Sequence, residues 1–258
     1  KLVWSLPRPD RIGQAVQSAF GGIAAAFVHQ IDGVRDNFAN LSTDLARTFG
    51  VAEPVGLTPP APENIQYGDY AKNFKYWAYQ GNYGTCALMA TAAVIAQLTG
   101  NGMPVDMNAL GQAVIDLAET TVSGVRPGGV PMFQEPSGTY SSDVVTLLNM
   151  YNLNADYVTY LKNDGNQALV GLTSALSQGQ GVIVSVHNNT IYNAYVNTYF
   201  SEYTQGKLLF PNKTEPVSNH AVVVLGVDMT KNLVYLNDSA WQKGQGLPIP
   251  LDTFMKAW

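Results

Sequence analysis

Acyl transfer by a protein nucleophile needs a thiol or hydroxyl, a base, a group that orients the base, and donors for an oxyanion. This sequence offers a sparse set of such groups. Cys86 is the only cysteine, so no intrachain disulfide is open to it. It ends the stretch Tyr79-Gln80-Gly81-Asn82-Tyr83-Gly84-Thr85-Cys86 and opens a run in which Leu88, Val94, Ile95 and Leu98 supply apolar helical faces, with Gly100 as a stop. A thiol in a first helical turn feels the helix dipole and the unpaired backbone N–H groups, both of which favour the thiolate. Gln80 lies six positions earlier, within reach for a loop that folds its amide back toward the sulfur. That amide and the Cys86 N–H would together make an oxyanion hole. Free cysteines also serve as small hydrophobes in many cores, so the chemical reading requires a base elsewhere.

Three histidines are available. His29 falls in an N-terminal helical region and His187 just past a strand. His220 directly precedes the strongest β run, Ala221 to Val227, which is followed by a turn and a second apolar run, Leu233 to Leu236. An antiparallel hairpin of these two runs brings His220 and Asn237-Asp238 to the same end of the ribbon. An amide or carboxylate there would bond one imidazole nitrogen and fix its tautomer, leaving the other nitrogen for a thiol. Both Asn237 and Asp238 satisfy that requirement.

At these residues the chain resembles the papain-like cysteine peptidases, and within them the C39-like peptidases related to bacteriocin-processing domains. Gln80 and Cys86 match the spacing of the family's oxyanion glutamine and nucleophile. Asn219-His220-Ala221-Val222-Val223-Val224-Leu225-Gly226 is similar to its His-bearing strand, and Val234-Tyr235-Leu236-Asn237-Asp238 to the strand that ends in its catalytic Asp. The resemblance covers roughly residues 70 to 258. It implies an α+β, papain-like fold in which a helical subdomain carries the cysteine and an antiparallel sheet carries the histidine and aspartate. It also implies that Cys86 is the nucleophile, His220 the base and acid, Asp238 the orienter and Gln80 the oxyanion donor. Two positions depart from the family: Ala87-Leu88 replaces a small pair after the cysteine, and Ser239 stands where Pro is frequent. The implied activity is hydrolysis of peptide bonds through an acyl-enzyme, with a peptide or protein as substrate. The alternatives are an amidase or acyltransferase on cell-wall or other peptides, and a catalytically silent module that binds a peptide or partner.

Several elements must position these groups. Apolar residues recur at steps of three and four from Ile12 to Phe49, which predicts two or three helical pieces broken near Gly21-Gly22, Gly33 and Asn40. Pro54, Pro59, Pro60 and Pro62 then make a stiff extended joint. The expected division is therefore a helical segment and linker over 1–62 and the peptidase domain over 63–258, the first packing on the main domain as a structural part or serving as a pro-segment, regulator or face for a partner or second copy. Helices are expected near Met107 to Glu119, Ser141 to Tyr151, Asn166 to Ser177 and Pro250 to Trp258. Strands are expected at Asp156 to Leu161 and Gly181 to Val186. Residues 121 to 139 form a Gly/Pro-rich loop, and the aromatic stretch Ile191 to Tyr203 a helix that fills the core or walls a substrate groove.

Composition sets the outer bounds. Of 258 residues 46% are hydrophobic, enough for one large domain or for one domain with an appendage, and only 13% are charged, about half the usual share. A net charge of −5 without a Lys/Arg cluster argues against a nucleic-acid surface. No apolar run approaches the roughly 18 residues needed to cross a bilayer. The chain opens on Lys1 rather than Met and is rich in Asn, Gln and Tyr, which gives the expectation of a secreted or cell-envelope protein with its export signal removed. With neither Cys/His metal spacing nor a phosphate- or dinucleotide-binding loop, no cofactor is expected.

Overall fold

The strand that begins at His220 is buried along its whole length, and the other elements are built outward from it. A computed structural model describes residues 2–7, 65–81, 84–135, 137–161, 163–199 and 218–258, without the side chains of 2–7 and 196–199. The helical stripe from Ile12 to Phe49, His29 and the proline joint lie outside the described residues.

Among the described residues seven strands form one sheet, with every pairing antiparallel. They are β1 (Leu2–Pro7), β2 (Tyr67–Gly68), β3 (Leu153–Val158), β4 (Gly181–Val186), β5 (His220–Asp228), β6 (Leu233–Asn237) and β7 (Leu247–Pro250). The order is β3-β1-β4-β5-β6-β7, with β2 also pairing β5. Three consecutive valines, Val222 to Val224, suit the pleated surface of a central strand. The expected hairpin is present: Val223 pairs with Asn237 and Asp228 with Leu233, across an irregularity between Val224 and Gly226. Its turn is held by Asp228 Oδ1, which accepts from the Lys231 N–H at 2.8 Å, and by Asn232 at φ 54°. Asparagine tolerates that left-handed conformation better than most residues.

Helices cover both faces. They are α1 (Tyr70–Asn73), α2 (Cys86–Thr99), α3 (Met107–Thr120), α4 (Ser141–Met150), α5 (Gly165–Ser177), α6 (Asn188–Tyr199) and α7 (Leu251–Ala257). Alternation along the strands splits the core in two. Ala221, Val223, Leu225, Ile183 and Tyr235 join a cluster with α2, α3 and α4. Val222, Val224, Val182, Val184, Val234 and Leu236 join one with α5, α6 and α7. Helix α2 is buried from Ala87 through Gln97, so it is apolar nearly all round, as a central helix must be. Its alanines allow close approach; opposite it a Cβ on Gly181 would lie 2.6 Å from Val94 Cγ1.

Three findings differ from the sequence reading. Leu2–Pro7, placed in the N-terminal segment, is a strand paired with both β3 and β4, so these residues belong to the same sheet as 153–250 and the boundary at 62 does not separate them from it. The strand expected at Asp156 to Leu161 starts earlier, at Leu153, because Asn152 at φ 60° reverses the chain directly after α4 and Leu153 is buried. Strand β7 was not expected at all, since Pro248 and Pro250 argue against a strand. It occupies the edge of the sheet, where missing N–H donors are tolerated.

Candidate active site

Cys86 is the first residue of α2, after Thr85, whose carbonyl accepts from the Met89 N–H at 2.9 Å. His220 is the first residue of β5, and Asp238 the first residue beyond β6. The hairpin register accounts for their meeting: His220 Nε2 lies 2.8 Å from Asp238 Oδ1, with both residues buried. The imidazole also hydrogen-bonds the Cys86 thiol. With Nε2 committed to the carboxylate, Nδ1 is the nitrogen left for sulfur. The structure therefore brings Cys86, His220 and Asp238 into one hydrogen-bonded line.

The electrostatics of this line follow from its burial. Burial is the largest single influence on Cys86 and favours the neutral thiol. Against it act the His220 hydrogen bond and charge, then the N–H groups of Ala221 and Ala87, and together they hold the thiol below its ordinary range. Burial likewise opposes charge on His220, but the Asp238 carboxylate, with the hydrogen bonds to Asp238 and Cys86, pushes the imidazole up to about 10. Both shifts favour a thiolate–imidazolium pair at neutral pH.

Asp238 is held through its backbone and through Oδ1. Its N–H donates to Gly244 O at 2.8 Å, its carbonyl accepts from Trp77 Nε1 at 2.7 Å, and Oδ1 also accepts from the Ala240 N–H at 3.0 Å. A Cβ on Gly244 would stand 2.0 Å from the Asp238 carbonyl oxygen, so only glycine fits where the 239–246 loop closes on the strand end. Asp238 Oδ2 is buried without a hydrogen-bond partner among the described residues, which leaves the imidazole as the main neutraliser of this carboxylate. Asn237 does different work. Its Nδ2 donates to Phe74 O at 3.1 Å and Tyr76 O at 3.0 Å, and its Oδ1 accepts from the Gly246 N–H at 2.9 Å. Of the two neighbours, Asp238 is the one bonded to the imidazole.

Gln80 is tied to the residue after Asp238. Its N–H donates to Ser239 O at 2.8 Å, and its Oε1 accepts from the Ser239 hydroxyl at 2.6 Å. Gly81, at φ 71°, turns the chain immediately afterwards, a conformation that favours glycine. Asn82 and Tyr83 lie outside the described residues.

Aromatic rings flank the pair. Tyr192 of α6 sits 6.4 Å from His220 and 5.0 Å from Trp241, ring centre to ring centre, and Tyr195 lies 5.9 Å from Trp241. Burial first, then the nearby Asp238 charge, push the Tyr192 phenol up, so it stays protonated. The aromatic stretch is thus both core and neighbour of the site. Sequence reasoning placed Tyr192 only in an aromatic stretch that fills the core or walls a groove, gave no role to Trp77 or Trp241, and noted Ser239 only as a departure. The helical spacing of Ile191, Tyr192 and Tyr195 was a usable signal; for Trp77 there was none.

The remaining sequence candidates lie elsewhere or are structural. His187 bonds Thr190 Oγ1 through Nδ1 at 2.7 Å, and its N–H donates to Ala257 O. In the Gly/Pro-rich loop the Ser123 hydroxyl donates to the buried Asp143 carboxylate, 2.8 Å from Oδ2. Among the described residues no group of His, Cys, Asp and Glu is placed to hold a metal ion, and no helix is long and apolar enough to cross a membrane.

Helices packed on an antiparallel sheet make the fold α+β, and the family match implies its papain-like form. The Peptidase_C39 like family matches residues 70–258, and the chain belongs to that family. An uncharacterized protein of Mycobacterium bovis is 34% identical over 230 residues, covering 82% of this chain and 90% of the relative. Uncharacterized proteins from two strains of Mycobacterium tuberculosis align equally well. No solved structure matches the chain.

Proposed function

We propose that the protein hydrolyses peptide bonds, with Cys86 as nucleophile, His220 as acid and base, Asp238 as its orienter and Gln80 as an oxyanion donor. The observation that carries this reading is the unbroken line from the Cys86 sulfur through His220 to Asp238 Oδ1, the last link 2.8 Å long. The thiolate attacks the scissile carbonyl carbon, and the Cys86 N–H and the Gln80 amide hold the oxygen that becomes negative. His220 gives its proton to the leaving nitrogen as the C–N bond breaks, and an acyl-enzyme remains on sulfur. Water then loses a proton to His220 and attacks the thioester, releasing the carboxylic acid and regenerating the pair. Asp238 keeps the ring in position and stabilises its charged form throughout.

The experiment is incubation with a diverse peptide library, with mass spectrometry of the products, for wild type and Cys86→Ala. Cleavage by wild type and none by the variant is expected. Cleavage that survives in Cys86→Ala, or a folded wild-type protein that cuts nothing, would overturn the proposal.

A further inference from the structure

We infer that Ser239 is a positioning residue for Gln80: its hydroxyl selects the orientation in which the glutamine's amide serves the oxyanion. This rests on the peptidase reading of Gln80 and extends it to a residue with no contact to the reacting atoms. Three observations support it. Ser239 is buried, only 7% exposed, and follows Asp238 directly. Two hydrogen bonds join it to Gln80, one from the glutamine N–H to the serine carbonyl and one from the serine hydroxyl to Oε1. The second is 2.6 Å long, a length that suits O–H···O and is shorter than the usual N–H···O range.

That length bears on function. A glutamine side chain has a donor end and an acceptor end, and an oxyanion is served only by the donor. By donating to Oε1, the Ser239 hydroxyl commits the acceptor end to itself and assigns the NH2 end to the other side. Because Gln80 precedes the nucleophile and Ser239 adjoins the imidazole's carboxylate, the same clasp ties the cysteine-bearing loop to the end of the hairpin. A proline at 239 would offer no such hydroxyl, so the departure from the family noted in the sequence gains a physical role.

The test compares wild type, Ser239→Ala, Ser239→Thr, Gln80→Ala and the Ser239→Ala/Gln80→Ala double variant, using one cleaved peptide and, separately, iodoacetamide alkylation of Cys86. Ser239→Ala should lower kcat about five- to tenfold, the effect of one lost hydrogen bond, with KM and the alkylation rate little changed. Ser239→Thr should restore kcat, and Ser239→Ala should cost nothing further once Gln80 is alanine. Losses that multiply in the double variant, or alkylation that falls in step with kcat, would overturn the inference. The side-chain NH2 resonances of Gln80, identified by their disappearance in Gln80→Ala, supply a readout independent of turnover. They should move, and exchange with solvent faster, in Ser239→Ala. If the wild-type protein cleaves no peptide, the peptidase reading fails on its own, and the amide signals still decide this point: unchanged resonances in Ser239→Ala refute it.

Discussion

Asp238→Asn removes one charge from the site while keeping its shape. Asparagine presents the same oxygen to His220 Nε2 and to the Ala240 N–H, so the hydrogen bonds at 2.8 and 3.0 Å are retained. What goes is the negative charge, the largest of the influences that raise His220 against burial. A carboxylate at contact distance shifts a partner's pKa by about 1–3 units, equivalent to about 1.4–4 kcal/mol of preference for the charged ring. His220 should therefore fall from about 10 to between about 7 and 9 in the variant. The chain has three histidines, so the ring resonances can be followed separately by NMR and assigned by substitution. Stability supplies a second readout, with a defined sign. His220 is raised above its unfolded value of 6.5, so its stabilising contribution is fully present below that value and is lost as pH rises through about 10. The difference in midpoint between wild type and variant should be largest near pH 6, about the unfolded value, and shrink on the alkaline side. A His220 that titrates identically in both proteins would refute the claim that the carboxylate charges the ring.

Cys86→Ala should abolish peptide turnover, whereas Gln80→Ala should leave a measurable remainder about 100- to 1,000-fold below wild type, read from initial rates. Asn237→Ala should destabilise the fold by about 2–4 kcal/mol in denaturant, because three hydrogen bonds made by a buried amide are lost together. An unchanged midpoint would show that those contacts carry nothing. Deleting residues 1–7 should sharply lower solubility and thermal midpoint, since it opens the facing edges of β3 and β4. A truncated protein that melts like wild type would place β1 outside the cooperative fold.

Most of the site was legible because its signals are local. A lone cysteine at a loop-to-helix junction and a histidine at the head of an apolar run can each be read within ten residues, and the short turn after Val227 fixed the hairpin that joins His220 to Asp238. Position alone left Asn237 and Asp238 open and only the family resemblance pointed to Asp238: one residue's difference in a strand decides which side chain meets the imidazole, and that depends on partners as distant as Phe74. Strand β1 escaped notice because its partners, β3 and β4, lie about 150 and 180 positions further along the chain. Ser239 and Trp77 act through bonds to residues more than 150 positions away, which no local pattern encodes.

Because Cys86 is the sole thiol, its ultraviolet thiolate absorbance reports one group, with Cys86→Ser as the blank. Titrating that absorbance in wild type and His220→Ala tests most directly whether sulfur and imidazole form an ion pair. The wild-type midpoint should lie below the ordinary cysteine value of about 8.5, and His220→Ala should raise it to that value or beyond. A wild-type midpoint at or above the ordinary value, unmoved by the loss of His220, would contradict the account.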